Sequence, residues 1–140
     1  MTTHEMRFRD YIQAFNRRDY EALCQHYAPD VRLVIGNGTE LVGRDAIVAF
    51  YRGVNQKTRR VIEVVQCFRD GDLLAAELES EFLAIEDAPD FASHPLKQGD
   101  RYYLNSFALY GMREDRYTRI RAAVLRREYR PVAPEGQITT

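Results

Sequence analysis

The sequence lacks the features that mark several large classes of protein. It contains no tryptophan, no glycine-rich phosphate-binding loop and no run of about 18 apolar residues such as a membrane-spanning helix requires. Its two cysteines, Cys24 and Cys67, do not have the spacing of a metal-binding or redox motif. No His-x-x-x-His pair or cluster of histidines and carboxylates is present. We therefore expect two reduced thiols, no membrane span, no metal and no cofactor.

A marked excess of one charge is also missing. The chain has 20 basic and 21 acidic side chains and a net charge of −1 at pH 7. A nucleic-acid-binding surface needs a basic face, whereas the arginine doublets at 17–18, 59–60 and 126–127 are scattered among acidic residues. The N-terminal segment lacks the apolar core of a secretory signal peptide. The sequence therefore predicts a cytoplasmic protein with no nucleic-acid partner.

What the chain does contain is enough apolar material for one domain. It has 140 residues, 45% of them hydrophobic, and a chain of this length needs no disulfides to hold a core together. Nine tyrosines and seven phenylalanines are present. A tyrosine has an apolar ring and a hydroxyl group that needs a partner when it is buried. The tyrosines therefore either pack alone or form a polar group inside an apolar cavity.

Hydrophobic periodicity places helices first and strands after them. The predicted helices are an amphipathic one over about 5–17, a short one between the N-cap Asp19 and Pro29, and one after Gly43. The predicted strands are 31–35, 39–42, 61–68, 73–85, 101–112 and 117–127, with a turn at 36–38 and a long loop at 86–98. This order is typical of an α+β fold. We predict one domain over 1–130, a cone-shaped α+β barrel whose strongly curved, mostly antiparallel sheet wraps the three helices around a cavity. An extended or disordered tail follows at 131–140.

The chain resembles the NTF2-like (cystatin-like) superfamily over about residues 7–130, and within it the SnoaL-like proteins and ketosteroid isomerases most strongly. The segments that carry the resemblance are YIQAFNRRDYEAL at 11–23, HYAPD at 26–30 and GRDAIVAFYR at 43–52. Members include isomerases, dehydratases, epoxide hydrolases, aldol-type cyclases, lyases and binding proteins. The resemblance implies a small apolar or aromatic ligand and a homodimer, or other homo-oligomer, formed through the outer face of the sheet.

Three tyrosines match a hydrogen-bonded network of the ketosteroid isomerases. By this resemblance Tyr11 is the donor to the substrate oxyanion, and Tyr27 and Tyr51 are its supports. Asn105 stands where the family has a protonated aspartic acid as second donor, and an amide can donate in the same way. The general base of the isomerases corresponds to Ile35, which cannot accept a proton. The chain is therefore not expected to be a standard ketosteroid isomerase.

The glutamates of the strand at 73–85 allow two interpretations. Hydrophobicity alone places Leu78 and Phe82 in the core and Glu77 and Glu79 in water. The family register instead places these two glutamates where limonene-type epoxide hydrolases have catalytic residues, facing the cavity. In that orientation desolvation would make one of them a general acid or base, with Glu79 preferred over Glu77.

The resemblance thus leaves two functions open. The first is a cofactor-independent isomerase, dehydratase, lyase or hydrolase that acts by acid–base chemistry on a small cyclic or aromatic molecule. The second is a non-catalytic binding protein with the same cavity, which the isoleucine at the base position favours. The catalytic candidates are Tyr11, Asn105, Glu79 and Glu77, and the candidates for the cavity lining are Tyr27, Tyr51, Tyr103, Phe107, Ile35, Phe50 and Ile120.

Overall fold

The structure is a computed structural model, and it describes residues 2–35, 38–91 and 94–133. The predicted tail lies outside the described residues from residue 134 onward, and so do two residues of the predicted turn at 36–38.

The described residues form three helices and six strands in the predicted order. They are α1 (Thr3–Asn16), α2 (Tyr20–Gln25), β1 (Tyr27–Val34), β2 (Glu40–Val42), α3 (Arg44–Val54), β3 (Thr58–Asp70), β4 (Leu73–Ala84), β5 (Arg101–Arg113) and β6 (Arg116–Arg130). As predicted, Asp19 caps α2, since its side chain accepts a hydrogen bond of 3.1 Å from the Ala22 amide. β1 begins earlier than predicted, because Tyr27 pairs with Tyr117 of the distant strand β6.

The strands form one mixed sheet in the order β2-β1-β6-β5-β4-β3. β1 and β6 are parallel, and the other neighbouring strands are antiparallel. In the described part of the chain the end strands β2 and β3 do not pair with each other. The α+β fold with a curved sheet is therefore confirmed, but the predicted barrel is an open sheet.

Burial divides the sheet into two faces. The inner face is the one the helices cover, and on β4 it carries Leu74, Ala76 and Leu78, each at most 5% exposed. These side chains pack against the apolar face of α1, which includes Phe8 and Ile12. The opposite face is the outer face. Burying each large side chain contributes about 1.5–3 kcal/mol, so this contact fixes which side of the sheet points inward.

The loop between β4 and β5 covers one end of the inner face. A second cluster of buried side chains forms there, and its members are Phe82, Ala84, Ala88, Leu96 and Tyr102. The loop is held by a bridge between Ala88 and Leu96, whose backbone groups exchange two hydrogen bonds. The inner face is therefore enclosed by α1 on one side and by this loop at its end. Among the described residues no helix is long and apolar enough to cross a membrane.

Asn16 joins the end of α1 to the edge strand β3. Its amide nitrogen donates to the Ile62 carbonyl oxygen at 2.9 Å, and its amide oxygen accepts from the Ile62 amide at 2.8 Å. Asn16 thereby satisfies backbone groups that an edge strand would otherwise leave unpaired.

We expect Asn16→Ala to destabilise the fold by about 1–3 kcal/mol, because both hydrogen bonds to Ile62 are lost. Urea unfolding followed by circular dichroism measures the change. Gln13→Ala, at an exposed position of the same helix, is the control. Equal stability of the two variants would contradict a role for Asn16 in docking α1.

Candidate functional site

Five tyrosines meet where α1 packs on the sheet, and we call them the tyrosine cluster. Its members are Tyr11, Tyr27, Tyr51, Tyr110 and Tyr117. The hydroxyl oxygens of Tyr11 and Tyr27 are 2.9 Å apart and hydrogen-bonded. The Tyr11 ring meets the rings of Tyr110 and Tyr117 edge-to-face, with centroids 5.9 Å and 5.0 Å away. The cluster therefore places several hydroxyl groups inside an apolar core.

Three elements position the hydroxyls of Tyr11, Tyr27 and Tyr51. Tyr11 lies on the buried face of α1, and Tyr51 on α3 packs edge-to-face on Phe15 with centroids 4.9 Å apart. Tyr27 begins β1, and its carbonyl oxygen accepts a 3.0 Å hydrogen bond from the Nε of Arg44. Tyr11 and Tyr27 are therefore joined by a hydrogen bond, and Tyr51 is buried in the same cluster.

Burial keeps these hydroxyls protonated. Tyr11 and Tyr27 are 2% and 0% exposed, and burial raises the pKa of both well above the ordinary tyrosine value. Burial also raises the pKa of Tyr51, Tyr110 and Tyr117. A protonated hydroxyl can donate a hydrogen bond, so the cluster is suited to polarise an oxygen atom of a ligand.

Arg60 brings a positive charge to the edge of the cluster. Its guanidinium lies 5.4 Å from the Phe15 ring centre and 4.8 Å from that of Phe82, between the two hydrophobic clusters. Nη2 and Nε donate to the Ser80 hydroxyl at 3.0 Å and 3.3 Å. Desolvation lowers the pKa of Arg60, while the nearby Tyr51, Tyr110 and Tyr11 raise it. An arginine remains charged in such a site.

The helices leave part of the inner face uncovered. Ala122 lies opposite the buried Ala108 in the register of β5 and β6, so it points to the inner face, yet it is exposed. Val124, opposite the buried Ser106, is half-buried. Solvent therefore reaches the inner face along β6, beside the enclosed core.

The comparisons with known proteins identify the family. Residues 8–120 match the SnoaL-like domain family, from α1 to the middle of β6. The chain belongs to this family. No curated protein matches its sequence.

Solved structures of SnoaL-like and related proteins share the fold of this SnoaL-like domain. A candidate polyketide cyclase from Pseudomonas putida KT2440 is 23% identical, with a TM-score of 0.73 over 88% of this chain and 92% of that one. A candidate SnoaL-like polyketide cyclase from Shewanella denitrificans OS-217 is 16% identical, with a TM-score of 0.75 over 89% and 91%. An LEH-like epoxide hydrolase from M. tuberculosis is 10% identical, with a TM-score of 0.67 over 85% and 80%. The expected NTF2-like, SnoaL-like superfamily is confirmed.

Of the two interpretations of Glu77 and Glu79 in this SnoaL-like domain, the one from hydrophobicity is correct and the one from the family register, in which they face the cavity as catalytic residues, is wrong. Both lie on the outer face, because Leu78 between them is buried against α1. Glu79 is exposed, and the Glu77 carboxylate accepts hydrogen bonds of 3.0 Å from Gln66 and from Asn105. Neither glutamate can reach a ligand that contacts Tyr11 on the inner face.

Three predicted site residues of β5 are also on the outer face. Asn105 uses its amide donor on Glu77, and the Tyr103 ring lies 4.7 Å from the Arg130 guanidinium carbon. Phe107 is 41% exposed. Placing the second oxyanion donor at Asn105 is one residue out of register, and a shift of one residue exchanges the two faces of a strand. The polar residue next to it on the inner face is Ser106, which is 6% exposed.

The other predicted lining residues belong to the inner side of the domain. Ile120 is buried in the main core, and the half-buried side chains of Ile35 and Phe50 pack against that core. Phe50 also contacts the ring of Tyr51, with centroids 5.6 Å apart. The family register that turns the glutamates inward also predicts a set of side chains in the dimer interface, namely Leu78, Phe82, Leu104, Ala108, Tyr102 and Tyr110. They lie instead on the inner face, where all but Leu104 are buried.

Sequence reasoning missed Arg60, Tyr110 and Tyr117. With Asn105 on the inner face, the alternation of the strand at 101–112 predicts Tyr110 on the outer face, which is the same one-residue error, and Tyr117 lies close to a register shift between β5 and β6. Arg60 has a readable signal, since it is separated by one residue from the apolar Ile62 and therefore shares its face. That signal needs the correct start of β3, which the sequence pattern placed after Arg60.

Asp100 is the one buried carboxylate among the described residues, and it has a structural role. Its oxygens accept hydrogen bonds from the amides of Lys97 and Val132 and from the Tyr129 hydroxyl, at 2.8–2.9 Å. Desolvation raises the pKa of Asp100, but these hydrogen bonds outweigh it and lower the pKa. In the described part of the chain no group of three or more histidines, cysteines and carboxylates could hold a metal ion.

Two surface depressions lie away from the tyrosine cluster. One, of about 400 Å³, lies between α2 and α3 and is lined by Tyr20, Glu21, Cys24, Asp45, Val48, Ala49 and Arg52. The other, of about 220 Å³, is lined by Thr2, His4, Glu5, Cys67, Phe68, Arg69 and Leu74. Neither contains a residue of the tyrosine cluster. We place the candidate site on the inner face because of the hydroxyl groups of the cluster.

The raised tyrosine pKa values predict a loss of stability in alkali. The neutral hydroxyls are favoured in the fold, so their contribution is complete below about pH 10 and declines above it by about 1.4 kcal/mol per pH unit for each tyrosine. In Tyr110→Phe the free energy of unfolding should decline less steeply, by about 1.4 kcal/mol per pH unit, as measured by urea unfolding at pH 9, 10 and 11. An unchanged slope would contradict burial of the neutral Tyr110 hydroxyl.

Proposed function

We propose that this SnoaL-like protein is a cofactor-independent enzyme of the isomerase or cyclase type. Its ligand is a small apolar molecule, cyclic or aromatic, with an oxygen atom that accepts a hydrogen bond from Tyr11. The observation that carries the proposal is the 2.9 Å hydrogen bond between the Tyr11 and Tyr27 hydroxyls in the buried core.

The tyrosine pair supports the stabilisation of an oxyanion. When Tyr27 donates to Tyr11, the Tyr11 hydroxyl hydrogen is directed to the ligand oxygen, and the first bond strengthens the second. Donors that are already oriented in an apolar site stabilise negative charge that develops on an oxygen. The positive charge of Arg60 beside the cluster acts in the same direction.

The long strands β3–β6 supply no glutamate to the inner face as a proton acceptor. The glutamates of β3–β6 all point to the outer face, and Ile35 occupies the base position of the isomerases. In our proposal the protein therefore polarises the ligand oxygen, and a solvent base that enters along β6 takes the proton from the neighbouring carbon.

The absence of a glutamate base on the inner face of β3–β6 also favours a second function, a small-molecule-binding protein without catalysis. Such a protein would use the Tyr11 hydroxyl for recognition alone. The two functions differ in whether the protein lowers the barrier to enolate formation or only holds the ligand.

Two probes of similar size separate these functions. Fluorescence titration with 2-naphthol measures binding, and NMR of 2-tetralone in D₂O measures exchange of the hydrogens beside the carbonyl group. For an enzyme we expect the protein to bind both probes and to accelerate the exchange. Tyr11→Phe should weaken 2-naphthol binding about fivefold to tenfold, since it removes a hydrogen bond of about 1 kcal/mol.

The matched control is Tyr103→Phe, which removes a hydroxyl from the outer face and should leave both measurements unchanged. Binding without faster exchange would support the binding protein over the enzyme. Affinity for 2-naphthol that is the same in Tyr11→Phe and the native protein would contradict the role of Tyr11 in both functions.

We also propose a homodimer through the outer face. Its apolar side chains include Phe107 and Leu109, which are 41% and 39% exposed. Acidic residues predominate on β3 and β4 (Glu63, Glu77, Glu79 and Glu81, with Arg59) and basic residues on β6 (Arg119, Arg121, Arg126 and Arg130, with Glu128). A two-fold axis parallel to β5 would place the acidic strand β4 over the basic strand β6 of a second copy, so the face is complementary to itself.

Light scattering after size exclusion tests this dimer. We expect a dimer at about 100 μM protein that weakens in high salt, because salt screens the facing charges. Phe107→Arg should give a monomer, whereas Met6→Arg on the exposed side of α1 should not. A monomeric native protein in low salt would overturn the proposal.

A further inference from the structure

Arg60 has no acidic partner among the described residues. No carboxylate oxygen forms an ion pair with its guanidinium there, and its polar contacts are those with the neutral Ser80 hydroxyl. A partly buried charge is costly unless a counter-charge or several hydrogen bonds compensate for it. Seven of the 18 arginines form ion pairs with carboxylates among the described residues, and Arg60 is one of those that do not.

The surroundings of Arg60 are shaped for a flat molecule that carries an anion. Its guanidinium lies over the rings of Phe15 and Phe82, and the half-buried Phe91 packs edge-to-face on Phe82 with centroids 5.0 Å apart. The Arg60 residue is half-buried. Tyr51, Tyr110 and Tyr11 are near enough to raise the pKa of its guanidinium, against the lowering by desolvation.

The inner face of the long strands has positive charge and no glutamate. On the inner face, Arg127 of β6 lies opposite Leu104 of β5, and Leu104 lies opposite Ser80 of β4. Arg127 is exposed. The glutamates of β3–β6 are confined to the other face. An anion therefore meets attraction from Arg60 and Arg127 without repulsion from an acidic side chain of these strands.

We propose that the ligand of the inner face is an aromatic or cyclic carboxylate, and that Arg60 binds its carboxylate group. This inference rests on the proposed function and names the chemical class of its substrate. The guanidinium donates two parallel hydrogen bonds to the carboxylate, and the far end of the molecule points to the tyrosine cluster. Arg60 thus selects charged ligands, while Tyr11 acts on their oxygen.

The test compares 2-naphthoate with 2-naphthamide, which has the same shape and no charge. In calorimetric titration, the affinity of the native protein for 2-naphthoate should be about tenfold or more higher than its affinity for 2-naphthamide, because charge-assisted hydrogen bonds are stronger than neutral ones. Arg60→Gln should remove this preference and leave 2-naphthamide binding within about twofold, the size of an ordinary neutral change. Arg59→Gln, at the exposed neighbouring position, should keep the preference.

Arg60→Lys is a second variant, which keeps the positive charge and loses the paired donors. It distinguishes the loss of the paired donors from misfolding of Arg60→Gln. It should retain part of the preference for 2-naphthoate. Native protein that binds both compounds equally, with affinity that Tyr11→Phe weakens, would overturn the role of Arg60 and leave the proposed function standing. Native protein that binds neither naphthalene compound nor 2-naphthol would overturn the proposed function itself.

Discussion

The packing of α1 on the sheet is the constraint from which the rest of the structure follows. A strand presents alternate side chains to its two faces, so burying Leu74, Ala76 and Leu78 against α1 necessarily turns Glu77 and Glu79 outward. The same contact brings the Tyr11 ring onto the sheet. One apolar interface therefore decides which polar groups can share a site.

This constraint separates the chemistry of the two faces. The inner face receives hydroxyl groups and arginine, and both are hydrogen-bond donors. The outer face receives glutamates on β3 and β4 and arginines on β6. A site built from donors stabilises negative charge on a ligand and does not itself remove a proton. The proposals follow from this separation of donors and charges. The inner face stabilises an oxyanion, and the outer face forms the contact between two copies of the chain.

The tyrosine cluster is deeply buried, whereas part of the inner face is exposed to solvent. Arg60 lies at the edge of the cluster. Tyr11 and Tyr27 are almost fully buried, whereas Arg60 lies between the two hydrophobic clusters and keeps contact with solvent. Its aliphatic stem can lie along apolar side chains while its charged end stays accessible. The guanidinium is thus the first group that an anionic ligand meets on the way to the hydroxyls.

The sequence by itself determined the order of elements and indicated that Tyr11 and Tyr27 belong together. Helical periodicity, the Asp19 cap and the segments around Tyr11, Tyr27 and Tyr51 are local signals, and local signals survive an error in distant strand pairing. Hydrophobic alternation alone gave the outward face of the glutamates, and the family register gave the opposite one. The tertiary structure decided between them and also decided the face of Asn105, because a strand repeats every two residues and a shift of one residue reverses each side chain. It also decided that Arg60 belongs to the site, since β3 extends past its predicted start when Thr58 pairs with Ala84 of β4.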